Sequence, residues 1–344
     1  MRTPAPDDEA ELDTRLSEPR DETVAALAAC PGHLVVLGAG GKMGPTLARM
    51  ALAAARRADG AASRRVIAVS RFTSARARGA LQAAGVETIA CDLLDRRAVG
   101  ALPDAPNVIF MAGQKFGTRD APARTWMMNV AVPLACTERY ITSRIVAFST
   151  GNVYPFTPVA AGGAREADAP APAGEYAWSC LGRERVFEHF AGLGARVAIM
   201  RLNYAIDLRY GVLTDLALRI WRGEPVPLAM GHVNVIWQGD ASRAALELLP
   251  HAATPPFVVN VTGRDTLSVR VLAEQLGARL GRAPRFAGAE APDALLSNTD
   301  RMAQTLAPAA VSLDTMLDWV AHWVRDDRPL LHKPTHFDVH DGAF

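Results

Sequence analysis

The feature that most constrains this chain is a glycine-rich turn that directly follows a short apolar run. Residues 33–44 read HLVVLGAGGKMG, and the Ala-rich stretch 45–58 that follows has helical periodicity. A strand that ends in a glycine turn and opens a helix is the context in which such glycines bind a dinucleotide. Gly38 would permit the tight turn, Gly41 would let the backbone approach a pyrophosphate, and Gly44 would allow close packing of helix on strand.

The same alternation of apolar run and helix-period stretch continues along the chain. The runs that predict strands are RVIAVS, ETIAC, NVIFMAG, RIVAFST, RVAIMRLNY, VNVIW and PFVVNVTG. Strands that alternate with helices imply right-handed crossovers and a parallel sheet covered on both faces. We therefore predict an α/β fold, a doubly wound parallel Rossmann sheet with a smaller, interleaved C-terminal substrate domain.

The pattern also predicts the domain organisation. Residues 1–31 begin with a Pro- and acid-rich stretch without apolar periodicity and are expected to form a flexible tail. Residues 32–200 form the predicted dinucleotide-binding domain, residues 201–330 the substrate domain with strands that return to the sheet, and residues 331–344 a C-terminal tail.

Charge and composition indicate the class of partner. A net charge of +1 provides no broad basic face for nucleic acid, so a small molecule is the expected ligand. Four scattered cysteines and an acidic N-terminus are typical of a cytoplasmic protein, and no apolar run approaches the ~18 residues of a membrane span. His332, His336 and His340 recur every four residues, but Pro334 argues against a helix, so we expect no metal site.

The end of the second predicted strand bears on the choice of cofactor. A free ribose 2′-hydroxyl is usually bound there by an acidic residue, whereas this strand ends in Ser70 and Arg71. An arginine can form paired hydrogen bonds with a 2′-phosphate, which favours NADP over NAD. Asp92 follows the next strand and is placed where it would contact the adenine.

Further motifs carry a resemblance to a known family. They are Asp92-Leu93, Met111-Ala112-Gly113, Asn129-Val130, STGNVY from Ser149 to Tyr154, Tyr176, RLNY from Arg201 to Tyr204, Asp240 at a helix start, and SLDTMLDWVAHWV from Ser312 to Val324. With the glycine turn, their order and spacing over residues 33–327 resemble the extended short-chain dehydrogenase/reductases, also called NAD-dependent epimerase/dehydratases.

The resemblance implies roles for individual residues. Tyr176 would transfer the proton as hydride moves to or from the nicotinamide, and Thr150, or its neighbour Ser149, would orient the substrate oxygen. Lys115 in AGQKFG resembles the cofactor-contacting lysine of UDP-glucose 4-epimerases. The residues expected to bind cofactor are Gly38, Gly40, Gly41, Lys42, Met43, Gly44, Ser70, Arg71, Asp92, Leu93, Met111, Ala112, Gly113, Lys115, Asn129, Tyr176 and Asn203; those expected to contact substrate are Thr150, Gly151, Asn152 and Asn203.

The chain departs from the family pattern at one catalytic position. The family has lysine four residues after the tyrosine, which lowers the pKa of the phenol and holds the nicotinamide ribose, whereas this chain has Cys180. Arg183 or Lys115 are alternative sources of positive charge. Glu184, eight residues after Tyr176, is expected to pair with an arginine.

Two other departures narrow the substrate and the reaction. Val233 stands where nucleotide-sugar enzymes of the family carry a diphosphate-binding arginine, which favours a free sugar, sugar acid or polyol unless Arg209, Arg219 or Arg222 supplies the charge. The Asp-Glu pair of the dehydratases is replaced by Gly151 and Asn152, which disfavours elimination of water.

Together these features predict an NAD(P)-dependent oxidoreductase or epimerase that acts on a hydroxyl of a sugar-like small molecule. The alternative, motivated by Cys180, is an NAD(P)-binding regulator or scaffold without redox turnover. The resemblance also implies a homodimer formed through two helices of each subunit, including the helix that carries Tyr176.

Overall fold

The computed structural model describes residues 4–59, 64–115, 117, 120–332, 335, 337 and 338. The strands of these residues are β1 Leu34–Leu37, β2 Val66–Ser70, β3 Glu87–Ala90, β4 Asn107–Phe110, β5 Arg144–Thr150, β6 Thr157–Pro158, β7 Arg196–Leu202, β8 Ala205–Ile206, β9 Pro225–Pro227, β10 His232–Val233, β11 Ile236–Trp237, β12 Phe257–Val261, β13 Leu267–Ser268, β14 Arg285–Ala287 and β15 Asp293–Ala294.

The α-helices are α1 Glu9–Leu16, α2 Asp21–Ala28, α3 Gly44–Asp59, α4 Ala75–Ala83, α5 Arg96–Gly100, α6 Pro122–Trp126, α7 Val132–Arg139, α8 Gly174–Gly192, α9 Val212–Arg222, α10 Gln238–Glu247, α11 Val269–Leu280, α12 Asp300–Thr305 and α13 Leu313–Arg325. A π-helical segment, Met127–Ala131, joins α6 to α7.

Seven strands form the central parallel sheet in the order β12-β7-β5-β4-β1-β2-β3. The chain moves outward from β1 to β3 and then crosses to the other side of β1 to form β4, so the strand order reverses between β1 and β4. In doubly wound folds, ligands bind in the crevice at the carboxyl ends of the strands at this switch point. The predicted fold class is confirmed.

The apolar character of the central strands follows from burial on both faces. Every residue of β1 and β4 is buried, with helices packed on each side of the sheet. One face packs against α3 and α10 and the other against α7 and α8. A run such as LVVL, without polar alternation, is stable only in such a covered position.

A second apolar cluster supports the smaller C-terminal part of the chain. It includes the buried faces of α9, α11 and α13, and the rings of Trp237 and Trp319 meet edge to face at 5.3 Å. The single strand expected over residues 233–237 is instead two short strands, β10 and β11. Asn234 lies between them, donates to the Asp265 carbonyl and accepts from the Ser297 amide.

The prediction of a flexible tail over residues 1–31 is wrong for residues 9–28, which form α1 and α2. Leu12 and Leu16 are fully buried in the same apolar cluster as Trp319. Leu27 is buried in the cluster that packs α3 against the central sheet. Asp8 caps α1 by accepting from the Glu11 amide. Short helices of this kind are stabilised by tertiary packing, which a charged, proline-rich sequence does not reveal.

Part of the predicted C-terminal tail, 331–344, is also packed. Thr335 bonds through its amide and hydroxyl to the Asp215 carboxylate, and Phe337 is buried. His336 and His340 lie outside the described residues. Within the described chain, no three His, Cys, Asp or Glu side chains are grouped as metal ligands, and none of its helices has the length and apolarity to cross a membrane.

Candidate active site

The candidate site lies at the carboxyl edge of the central sheet, where β1, β2, β4, β5 and β7 end. Two adjoining cavities occupy this edge, a larger one of about 450 Å³ and a smaller one of about 250 Å³. The residues that line both are Gly38, Gly41, Met111 and Gly113. The cavities therefore meet over the β1–β4 switch point.

Most of the sequence-predicted site residues line one of these cavities. The larger cavity includes Lys42, Met43, Lys115, Ser149, Thr150, Asn152, Tyr176 and Asn203. The smaller includes Gly40, Ser70, Arg71, Asp92, Leu93 and Ala112. Three predicted residues line neither: Gly44, Asn129 and Gly151.

The glycine turn is packed so closely that larger residues would collide with the backbone. A Cβ on Gly38, which has φ +90°, would lie 2.6 Å from the Ala112 backbone, and one on Gly44 would lie 2.4 Å from the Ala39 carbonyl oxygen. On Gly41 the nearest atom would be 3.5 Å away. The first and third glycines are thus required by the protein's own packing, whereas the second borders the open cavity.

The smaller cavity combines the end of β2 with the start of α4. Ser70 lies directly over the glycine turn, since a Cβ on Gly40 would meet its Oγ at 2.4 Å. Arg71 follows it with an exposed side chain, and Ser74 caps α4 by accepting from the Ala77 amide. Hydroxyl, guanidinium and helix N-terminus therefore line one end of this cavity.

The side chains of Thr150 and Cys180 lie near enough to the Tyr176 hydroxyl to affect its pKa. Thr150 ends β5, and Tyr176 and Cys180 lie one turn apart in the first half of α8. Burial raises the pKa of Tyr176 far above its ordinary value, and the Cys180 side chain raises it further, while Arg183 and the Thr150 hydroxyl lower it. At neutral pH the phenol is protonated in this environment.

Ser149 belongs to a different network. Its hydroxyl donates to Glu184 at 2.5 Å, and Glu184 is held by a two-pronged ion pair with Arg201, at 3.0 and 2.7 Å. Arg201 also donates to the Tyr154 hydroxyl, which donates to Asn260. The expected arginine partner of Glu184 is confirmed, and the network links β5, β7, β12 and α8 beneath the site.

Asn129 lies in the π-helical segment, and its amide is fully used by the protein. Its Nδ2 donates to the Gln114 carbonyl and the Ser179 hydroxyl, and its Oδ1 accepts from the Gln114 amide and from Arg183. The side chain therefore ties the loop after β4 to α8. Its position suits a residue that orients the site from behind the cavity wall.

Three cations line the larger cavity, and no Asp or Glu is among the described residues that do so. Lys42 lies 4.3 Å from the centre of the Tyr210 ring. Burial lowers the pKa of Lys42 and of Lys115 to about 8. The third cation is Arg183.

Among the residues of the larger cavity that sequence reasoning missed are Tyr204, Tyr210 and Thr335. Tyr204 has a left-handed backbone with φ 40°, a conformation that non-glycine residues rarely adopt outside constrained sites. Its place in RLNY was the only signal in the sequence. The proposed substitutes for the diphosphate-binding arginine, Arg209, Arg219 and Arg222, are not among the described residues that line either cavity.

Comparisons with known proteins identify the fold. No family model matches the chain, and no curated protein matches it in sequence. Among solved structures, the UDP-glucose 4-epimerase of Thermotoga maritima is similar, with a TM-score of 0.68 and 18% identity over 86% of this chain and 99% of that one. The UDP-Glc/GlcNAc 4-epimerase of Campylobacter jejuni has a TM-score of 0.68, 20% identity, and coverage of 86% and 100%.

The dTDP-glucose 4,6-dehydratase DesIV of Streptomyces venezuelae, solved with NAD, has a TM-score of 0.71 and 20% identity over 86% of this chain and 97% of that one. Nearly the whole length of each of these structures is matched. The chain thus has the fold of the extended short-chain dehydrogenase/reductases, as the sequence resemblance predicted.

Proposed function

We propose that this protein is an NAD(P)-dependent oxidoreductase or epimerase that acts on a hydroxyl-bearing carbon of a sugar-like small molecule. The observation that carries the proposal is that Tyr176 and Thr150 line the same cavity as the glycine turn, with the Thr150 side chain close enough to lower the pKa of the phenol. A proton-transferring phenol and a dinucleotide-binding turn are thus joined in one site. The sugar-nucleotide epimerases that share this fold support the same class of chemistry.

The residues present fit a nicotinamide dinucleotide. The turn at Gly41 leaves space for a pyrophosphate, and the two cavities together suit the two halves of the cofactor. Within this proposal Ser70, Arg71 and Ser74 favour NADP, because their hydroxyls and guanidinium suit a 2′-phosphate that a carboxylate would repel. The cofactor, when bound, supplies the acceptor or donor of hydride.

Tyr176 is the proton-transferring residue in this mechanism. As a neutral phenol it donates its proton to a carbonyl oxygen when the substrate is reduced and becomes a phenolate. Oxidation is the reverse step, in which the phenolate accepts the proton of the substrate hydroxyl and becomes the phenol again. The Thr150 hydroxyl donates to the Asn152 side-chain oxygen and accepts from the Asn152 amide. These bonds hold the Thr150 hydroxyl in place in the cavity that Tyr176 also lines.

The charges around the larger cavity favour an acidic sugar within this substrate class. The chain contains only three lysines, and two of them, Lys42 and Lys115, line this cavity, while no described lining residue is acidic. A carboxylate on the substrate would be stabilised there by cations with reduced access to water. Val233, in place of a diphosphate-binding arginine, is consistent with a ligand that lacks a nucleotide.

We further propose a homodimer that forms through the two helices that the family resemblance implies. One is α7 together with the adjoining π-helical segment, and the other is α8. Large apolar side chains are exposed in this region: Trp126 by 38%, Met127 by 51% and Trp178 by 51%. Burial of such side chains against a second copy is favourable. Light scattering should report a dimer, and Trp178→Glu should shift it to monomer; a monomeric wild type would contradict the proposal.

The function is tested first by the cofactor that the purified protein carries. The protein is denatured, and NAD, NADH, NADP and NADPH are quantified per chain. Retained cofactor favours an epimerase, whereas an empty site favours a dehydrogenase.

A panel of sugars and matched sugar acids is then tested as substrates. Absorbance at 340 nm reports oxidation or reduction of the cofactor, and NMR detects epimers of the sugars. Tyr176→Phe should abolish the turnover found while cofactor affinity stays nearly intact, and equal activity in this variant would contradict the mechanism.

The second candidate function is a cofactor-binding regulator without turnover, favoured by the burial and the Cys180 contact that raise the pKa of Tyr176. It predicts stoichiometric cofactor binding and no hydride exchange with any member of the panel. A single-turnover assay distinguishes the two: the protein is first loaded with deuterated NADPH or NADH and then mixed with each candidate ketone. An epimerase or dehydrogenase transfers deuterium to its substrate, whereas a regulator transfers none.

A further inference from the structure

Position 180 leaves the tyrosine without the cation that the family pattern places there. The Cys180 side chain is fully buried, near enough to Tyr176 for the two groups to affect each other's pKa. Burial raises the pKa of this thiol, so it is neutral at physiological pH. A neutral thiol neither stabilises a phenolate nor binds a ribose diol as an ammonium group does.

Arg183 lies one further turn along the same face of α8. Arg183 is only 6% exposed, yet it lines the larger cavity. Nη1 donates to the Phe148 carbonyl at 2.8 Å and Nη2 to Asn129 at 2.6 Å, so the guanidinium is fixed between β5 and the π-helical segment. A Cβ on Gly113 would lie 2.3 Å from Nη2, so a larger residue there would displace the guanidinium from this position.

The guanidinium retains hydrogen-bonding capacity in this position. Nε is buried and has no hydrogen-bond partner among the described residues. A guanidinium has five N–H donors, and the two bonds to Phe148 and Asn129 leave the others for a ligand. Because Nε itself is closed to solvent, the Nη hydrogens that Phe148 and Asn129 do not use are the ones that would bond to a ligand in the cavity.

We infer that Arg183 replaces the missing lysine: its guanidinium binds the nicotinamide ribose of the cofactor and provides a permanent positive charge beside Tyr176. The inference rests on the proposed function in that it assumes a nicotinamide dinucleotide in the site. Arginine suits the task because a guanidinium is a much weaker acid than an ammonium group and presents several donors in a fixed plane. Its influence on Tyr176 is consistent with this, since Arg183 lowers the pKa of the phenol.

Lys115 is the competing cation. It follows β4 and lies near enough to Cys180 for their charges to interact. Burial lowers its pKa to about 8, so it loses its charge in mildly alkaline solution, and Lys42 repels it across the cavity. A lysine in this state is a weaker substitute than a guanidinium anchored at both ends.

The test compares ligands with and without the nicotinamide ribose, by calorimetry on the full-length protein. Each dinucleotide is compared with a mononucleotide that lacks the nicotinamide ribose: NADP⁺ with adenosine 2′,5′-bisphosphate, and NAD⁺ with ADP. Both comparisons are made, so the result does not depend on which cofactor is preferred. Arg183→Met should weaken the dinucleotide about 10- to 100-fold, the effect of removing a charged hydrogen-bond donor, and leave the mononucleotide unchanged. Arg183→Lys should retain part of the affinity.

A rescue variant separates this role from a structural one. Cys180→Lys combined with Arg183→Met restores the family pattern and should recover most of the dinucleotide affinity. Arg185→Met is the matched control, since Arg185 lies on the same helix but is exposed and paired with Glu188 at 2.6 Å, and it should change neither ligand.

Other outcomes overturn the inference in distinguishable ways. Equal weakening of dinucleotide and mononucleotide by Arg183→Met means that Arg183 only supports the fold. A selective loss in Lys115→Met but not in Arg183→Met assigns the ribose to Lys115. A wild type that binds no dinucleotide contradicts the proposed function and this inference together.

Discussion

Ser149 donates its hydroxyl to Glu184 at 2.5 Å, so this hydroxyl is engaged by a buried carboxylate, whereas the hydroxyl of its neighbour Thr150 bonds to Asn152. Successive side chains of a strand point to opposite faces. Thr150 consequently meets the Tyr176 hydroxyl, and Ser149 meets the carboxylate that Arg201 holds. Of the two hydroxyls considered from the sequence, the geometry favours Thr150 for the reaction and Ser149 for support.

Substitution of each hydroxyl should have a different effect. Thr150→Val should lower kcat about 10²- to 10³-fold, as expected for the loss of one oriented hydrogen-bond group at the reacting atoms. Ser149→Ala should lower the free energy of unfolding by about 1–3 kcal/mol, because a buried hydrogen bond to a charged group is lost, and should lower kcat far less. Steady-state kinetics and urea unfolding measure the two effects.

Thr150→Ser serves as the control for the first variant, since it keeps the hydroxyl and should keep most of the turnover. If Ser149→Ala proved the more damaging to kcat at unchanged stability, the assignment of the two hydroxyls would have to be reversed.

The sequence predicted the parts of the molecule that depend on local patterns. The runs LVVL and RIVAFST are central strands because a strand covered on both faces must be apolar throughout, and this pattern is visible in one dimension. Tyr210 and Thr335 were missed because only the folded chain brings them to the cavity. The grouping of Lys42 with Lys115 is likewise a property of the sheet edge, where loops distant in sequence converge.

The N-terminal helices were missed for a different reason, since their apolar residues are few and set among charges. Leu16→Ala should lower the free energy of unfolding by about 2–5 kcal/mol, because the side chain is fully buried in the cluster that contains Trp319. Urea unfolding monitored by tryptophan fluorescence measures the change.

The matched control for this variant is Val271→Ala, at a side chain that is 46% exposed, which should change stability little. A loss of less than about 0.5 kcal/mol in Leu16→Ala would mean that α1 is not part of the stable fold in solution.

The preference for NADP depends on the exposed arginine after β2. Arg71→Ala should weaken NADPH binding about tenfold and leave NADH binding unchanged, because only NADPH carries the 2′-phosphate that the guanidinium would bind. Cofactor fluorescence titrations measure both. Arg76→Ala on α4 is the control, as this arginine does not line the smaller cavity. Equal losses for NADPH and NADH, or none, would argue against a phosphate site at Arg71.

The two cavity lysines should make anion binding depend on pH. Burial lowers the pKa of Lys42 and Lys115 to about 8, so both are charged below this pH and lose their protons as the pH rises through it. Affinity for glucuronate should therefore fall above pH 8, whereas affinity for neutral glucose should not. A bound carboxylate favours the charged lysine and should move both pKa values upward.

Reductive ¹³C-methylation followed by NMR measures these pKa values directly, because the chain has only three lysines, and Lys333, the third, lies outside the described residues. Lys42→Arg and Lys115→Arg assign the signals. We expect the two cavity lysines to titrate near pH 8 and to shift upward when glucuronate is added but not when glucose is added. Titration of both near 10.4, the ordinary value for lysine, would show that the cavity does not hold them away from water and would remove the basis for an acidic substrate.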